Sequence, residues 1–160
     1  MISSVDELIQ HLRGTKYNEW DGQPWKEDGH APFYVSDRGV NALDAQHVKE
    51  DGCCCAGFIN LVCRVLSAPI PQCPDGDYSG GMAEWTTQKA WRPLKPEETD
   101  IGAYALLMVP YGTPWEQQGH IGIYLGEDRV AHCISGKGLH IDTLRGYPWQ
   151  YYCPVTDWLT

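Results

Sequence analysis

Gly119-His120-Ile121-Gly122-Ile123-Tyr124-Leu125-Gly126-Glu127-Asp128-Arg129-Val130-Ala131-His132-Cys133 is the stretch from which the fold is read. Residues 121–125 and 129–133 are short apolar runs, and Glu127-Asp128 between them suits a tight hairpin turn. In such a hairpin, residues whose numbers sum to about 254 face each other. His120 and His132 then sit close to opposite, within one or two residues. Outward from this hairpin, Ala103–Val109 and Leu139–Ile141 read as further strands, and Tyr151-Tyr152 as the start of a last one.

Toward the N-terminus the hydrophobic period changes. Ser4-x-x-Glu7 is a capping box, Val5, Leu8, Ile9 and Leu12 recur at helical spacing, and Gly14 ends the run. Residues 41–50 form a second, short helix. From Cys55, the side chains of Phe58, Ile59, Val62, Val65 and Leu66 make one apolar face, with Asp51-Gly52 before it and Pro69 and Pro71 after it. Met82–Trp91 is a further short helix. Residues 15–32 and 69–81 carry loop chemistry, and Phe33-Tyr34-Val35 is a short extended piece. Helices first and a strand meander afterwards predict an α+β architecture, with a nucleophile-bearing helix on a small antiparallel sheet. Without a repeat or linker to divide it, the chain is expected to be one domain over residues 1–160.

Composition narrows the partners. The 21 acidic and 12 basic residues give a formal net charge of −9, and no run of Lys or Arg offsets it. A nucleic acid or an anionic membrane surface would be repelled. No apolar run reaches the ~20 residues of a membrane span. The start, Met-Ile-Ser-Ser-Val-Asp-Glu-Leu-Ile, lacks the basic and apolar parts of a signal peptide, so synthesis in a cytoplasm is expected. The seven cysteines are odd in number, and three of them (Cys53, Cys54, Cys55) are adjacent, which suits thiols better than a disulfide framework. Zinc held by Cys53, Cys55 and a histidine is the competing idea, but no C-x-x-C pair supports it. No metal or organic cofactor is expected.

The chemistry-bearing pair is Cys55 with His120. A sulfur at the first turn of a helix has its anion stabilised by unpaired N–H groups and the helix dipole. A neighbouring imidazolium lowers the thiol pKa further, and the ion pair is a nucleophile. The same imidazole protonates a leaving amine, and it needs a third group to fix its orientation. His132 fills that third role, with His140 and Asp142 as rivals. The peptide N–H of Cys55 is an oxyanion donor, and Tyr34 is the candidate for a second. Cys54 is the alternative nucleophile. Cys63 is read as core, His11, His30 and His47 as surface, and the Asp and Glu residues as a solvated surface.

These residues also resemble a family. Cys55-Ala56-Gly57-Phe58-Ile59 is similar to the Cys-Ser-Gly-Leu/Phe-Val nucleophile motif of NlpC-type papain-like cysteine peptidases. His120-Ile121-Gly122-Ile123-Tyr124-Leu125-Gly126 resembles that family's His-Val-Gly-Ile-Tyr-Leu-Gly motif. Arg129–Cys133 resembles its last active-site motif, and Pro32-Phe33-Tyr34-Val35 its Pro-Tyr-Val-Trp segment. Cys54 stands where the family usually has Asp, and Ala56 where it has Ser. The resemblance implies hydrolysis of an amide in bacterial peptidoglycan peptides through an acyl-thioester. The bond is either that between D-glutamate and a diamino acid or that joining muramic acid to L-alanine. It also implies release or injection toward the cell wall, as a phage endolysin or as an antibacterial effector with an immunity protein. An acyltransferase on a related fold and an inactive wall- or partner-binding module are the other readings.

Overall fold

The computed structural model describes residues 1–18, 39–72, 80–112 and 118–160. Tyr34 and its extended segment, His30 and Cys73 lie outside the described residues. Five helices are formed among the described residues: α1 (Val5–Leu12), α2 (Ala42–Asp51), α3 (Cys55–Leu66), α4 (Met82–Gln88) and α5 (Val155–Trp158). The strands are β1 (Arg92–Pro93), β2 (Leu106–Val109), β3 (His120–Gly126), β4 (Arg129–Ile134), β5 (Gly138–Asp142) and β6 (Tyr151–Cys153). They make one antiparallel sheet in the order β1-β6-β2-β3-β4-β5. The α+β expectation therefore holds, and none of the described helices is long and apolar enough to cross a membrane.

The central hairpin closes as its sequence requires. Ile123 pairs with Ala131 and Tyr124 with Val130, and a register shift follows before Gly126 pairs with Arg129. Glu127 and Asp128 both have positive φ (52° and 56°), the signature of a two-residue turn whose twist matches its strands. Asp128 does more than turn the chain. Its N–H donates to the Tyr124 hydroxyl at 3.1 Å, and its Oδ1 accepts the N–H of Leu144 at 2.9 Å. The hairpin tip is thereby tied to a 3₁₀ turn, Leu144–Gly146, that follows β5.

Alternation sends successive side chains of the sheet into two different cores. Leu106, Met108, Ile121, Ile123, Ala131 and Cys133 point toward α3, where Phe58, Ile59 and Val62 are fully buried. Leu107, Val109, Tyr124 and Val130 point the other way, against Leu144 and Trp149. Each large apolar side chain sealed this way contributes about 1.5–3 kcal/mol. Phe58→Ala would cost about 3–5 kcal/mol through the cavity it leaves.

Sequence and structure differ in some elements. The strand expected over Ala103–Val109 begins only at Leu106, because Gly102 (φ 85°) and Tyr104 (φ 67°) make a turn before it. The helix expected over Met82–Trp91 stops at Gln88. Ser4 caps α1 by accepting the Glu7 N–H at 3.1 Å, but the Glu7 carboxylate returns to Ser3 instead of completing the box. The complete capping box is in α2, where Asn41 and Asp44 exchange hydrogen bonds. Strand β1 and helix α5, two and four residues long, carry too little pattern to be read from sequence.

Candidate active site

Helix α3 begins at Cys55 and packs against β3 and β4. Cys54 is its N-cap, in extended conformation, and its sulfur accepts the Gly57 N–H at 3.4 Å. This is the task an aspartate or serine oxygen usually performs at that position. Cys54 is thus the capping residue. Cys55 is the first helical residue and is 6% exposed. Hydrogen bonding from the adjacent Cys54 side chain does most to lower the Cys55 pKa. Burial opposes it, while hydrogen bonding and charge from His120 and the backbone N–H of Ile121 act with it. The balance holds Cys55 well below the usual thiol range.

His120 is the first residue of β3, at the end of the sheet that meets α3. Gly119, just before it, has φ 68°, and a Cβ there would lie 2.6 Å from the Val109 carbonyl oxygen. Only glycine delivers the histidine at this point. His120 Nε2 lies 2.8 Å from His132 Nδ1, and the same ring is among the groups that lower the Cys55 pKa. The expected proximity of His120 and His132 is therefore present, as a diagonal pair on one face of the hairpin.

His132 is 1% exposed, and its pKa is pushed down to about 3, chiefly by burial and then by the neighbouring His120 and His140. It is neutral, so it carries one ring proton. When His120 Nε2–H donates to His132 Nδ1, that proton sits on His132 Nε2. Asp142 Oδ2 faces this nitrogen at 3.7 Å. Against its own burial, the Asp142 carboxyl is held below its ordinary pKa by the Thr143 N–H and the flanking histidines. The two rivals for the third role, His140 and Asp142, stand behind His132 and not beside His120. His140 lies with its ring centroid 4.4 Å from that of His132, and its Nδ1 is 3.2 Å from the Gly138 carbonyl.

Two aromatic rings roof this pair. Trp149 stacks on His120 at 5.2 Å with an 11° interplanar angle, and Tyr147 lies 4.6 Å from the same ring. Trp149 also meets His132 edge-on at 5.4 Å. Gly122 makes room for them: a Cβ there would lie 3.0 Å from the Trp149 ring and 3.1 Å from the His132 Cβ. The roof keeps water from the imidazole–imidazole bond. Neither aromatic was singled out from sequence, since both follow the 3₁₀ turn in irregular chain.

A cavity of about 460 Å³ opens over Cys55 and His120, with Tyr17, Glu84, Tyr111 and Gln118 among its walls. Glu84 corrects the reading of the acidic residues as uniformly solvated. It is 6% exposed, and its Oε1 has no hydrogen-bond partner. Cys63 is buried as expected, which pushes its thiol up to about 12. Cys153 is pushed up to about 11 by burial. Cys53 lies against Cys133, Sγ to Sγ 3.8 Å, and not in a zinc-ligand set with Cys55. Of the histidines read as surface, His11 and His47 are exposed. No protein-family model matches the chain, and no curated protein matches it either.

Proposed function

We propose that the protein is a papain-like cysteine peptidase or amidase that cleaves an amide bond in peptidoglycan peptides. The observation that carries this reading is Cys55 at the N-terminus of α3, its thiol pKa lowered in part by His120, whose ring lies 2.8 Å from His132. In the proposed reaction the Cys55 thiolate attacks the amide carbonyl, and the carbonyl electrons move to oxygen. The Cys55 N–H stabilises that oxyanion, and Tyr34 is the proposed second donor. His120 gives its proton to the departing amine as the C–N bond breaks, leaving an acyl-thioester. Water then attacks the thioester while His120 takes its proton, and the acid product leaves with the thiolate restored.

His132 keeps the His120 ring turned toward the sulfur, and Trp149 shields the bond between the two rings from water. Peptidoglycan peptides suit the groove because they carry diamino acids and free amines, and Glu84 is a carboxylate on its wall. Delivery as a phage endolysin, or as an injected effector neutralised by an immunity protein, goes with this reading. Digestion of purified peptidoglycan by wild type and Cys55→Ala, with mass analysis of the fragments, tests it. New peptide fragments with wild type alone are expected. Equal digestion by both proteins would remove Cys55 from the mechanism.

A further inference from the structure

We infer that His132, His140 and Asp142 form an inhibitory site for a divalent transition-metal ion of the zinc class, placed directly behind the proposed catalytic pair. The ligand atoms of these three side chains lie within 4.8 Å of one another. His132 Nε2 and His140 Nε2 are 3.7 and 3.8 Å from the same oxygen, Asp142 Oδ2. Those distances are too long for hydrogen bonds. They are close to the spacing of two donors on a tetrahedral ion, about 3.3 Å for zinc–ligand bonds of about 2.0–2.1 Å. Two imidazoles and a carboxylate are a donor set that zinc-class ions accept, with a fourth position open to water.

Three independent details prepare the site. His132 Nε2 is buried and has no hydrogen-bond partner. Donation from His140 Nδ1–H to the Gly138 carbonyl leaves the lone pair on Nε2, the arrangement usual for a ligating histidine. Asp142 Oδ1 is engaged by the Thr143 N–H at 2.8 Å, which directs the other oxygen to the histidines. His140 and Asp142 are about a quarter exposed (24% and 27%), so an ion reaches the site from solvent without passing the cavity over Cys55.

Occupancy reverses a hydrogen bond. A metal ion on His132 Nε2 displaces the proton there, so the neutral ring carries it on Nδ1. That N–H then points at His120 Nε2 across the 2.8 Å contact, so His132 no longer offers the acceptor that His120 Nε2–H had. The His120 ring loses the partner that holds it in place beside Cys55, and the proposed acylation slows. The inhibitory half of this inference rests on the peptidase reading; the metal site does not.

The test is titration of the full chain with Co²⁺, read by visible absorbance, and with Zn²⁺, read by peptidoglycan hydrolysis and by the rate of Cys55 alkylation with iodoacetamide. One Co²⁺ per chain is expected in wild type and in Cys55→Ala, without a thiolate charge-transfer band. His140→Gln is expected to weaken Co²⁺ binding at least about tenfold. Zn²⁺ is expected to slow both hydrolysis and alkylation of wild type by about tenfold or more, reversibly on chelation, while His140→Gln keeps its own metal-free rates. Undiminished Co²⁺ binding by folded His140→Gln, or a cobalt spectrum carried by thiolates, would overturn the site. Binding at the site with hydrolysis and alkylation unchanged would overturn inhibition. Zinc-sensitive alkylation in a protein that digests no peptidoglycan would uphold the inference and sink the peptidase reading instead.

Discussion

Cys55 and Cys63 lie on the same helix, eight residues apart, and both are sealed from solvent, at 6% and 0% exposure. Their thiols are pushed in opposite directions. Burial governs Cys63 and carries it to about 12, with only the distant charge of Lys89 opposing. At Cys55 burial acts in the same sense but loses to the Cys54 thiol, His120 and the Ile121 N–H. Helix position accounts for the contrast. Mid-helix N–H groups are consumed by the helix itself, whereas the first turn leaves donors unspent and lets neighbouring elements approach. Burial makes a thiol inert only where no donors meet the anion.

The sharpest way to break this comparison is to delete each sulfur. Cys55→Ala is expected to lower peptidoglycan hydrolysis by about 10⁴-fold or more, as loss of a nucleophile does. Cys63→Ala should retain hydrolysis and show its effect as a lower midpoint in thermal unfolding. Next in size, His120→Ala should cost about 10²–10⁴-fold in kcat, the usual range for a lost proton-transfer group. Iodoacetamide kinetics against pH separate the two thiols directly. Cys55 should keep reacting as pH falls below the ordinary thiol value of about 8.5, slowing only when pH passes through its depressed pKa. Cys63 should remain unlabelled until the protein unfolds.

Glu84→Gln is expected to raise KM about tenfold for peptides bearing a free amine, with kcat little changed and acetylated peptides unaffected. The smallest effect is expected at the cap. Cys54→Ala should cost up to about 1 kcal/mol of stability in denaturant unfolding and slow Cys55 alkylation at pH 6, while Cys54→Ser, which keeps an acceptor and a donor, should restore much of both.

The parts of this arrangement legible in the sequence are those with a local signal. The hairpin announced itself through its turn and two apolar runs, and its register followed from the turn alone. The start of α3 was marked by the change from Asp51-Gly52 to an apolar helical face. His120 and His132 inherited their proximity from the hairpin. Trp149, Tyr147 and Glu84 had no such signal. The first two reach the imidazoles from irregular chain beyond β5, and Glu84 looks like any helical glutamate until the groove closes round it. Asp142 was weighed as a rival to His132 for orienting His120, but strand pairing sets His132 opposite His140 and leaves the carboxylate one ring further back.

Asp128 extends the reach of the hairpin beyond its own strands. Its carboxylate anchors the backbone of Leu144, five residues before the indole that covers the imidazoles. A side chain at the tip of a surface turn, on the far end of β3 from His120, thus helps peg down the canopy above the two histidines. Replacement by asparagine would keep the turn's tolerance for left-handed backbone and slacken only the guy-line, making this position a remote handle on how often solvent visits the paired imidazoles.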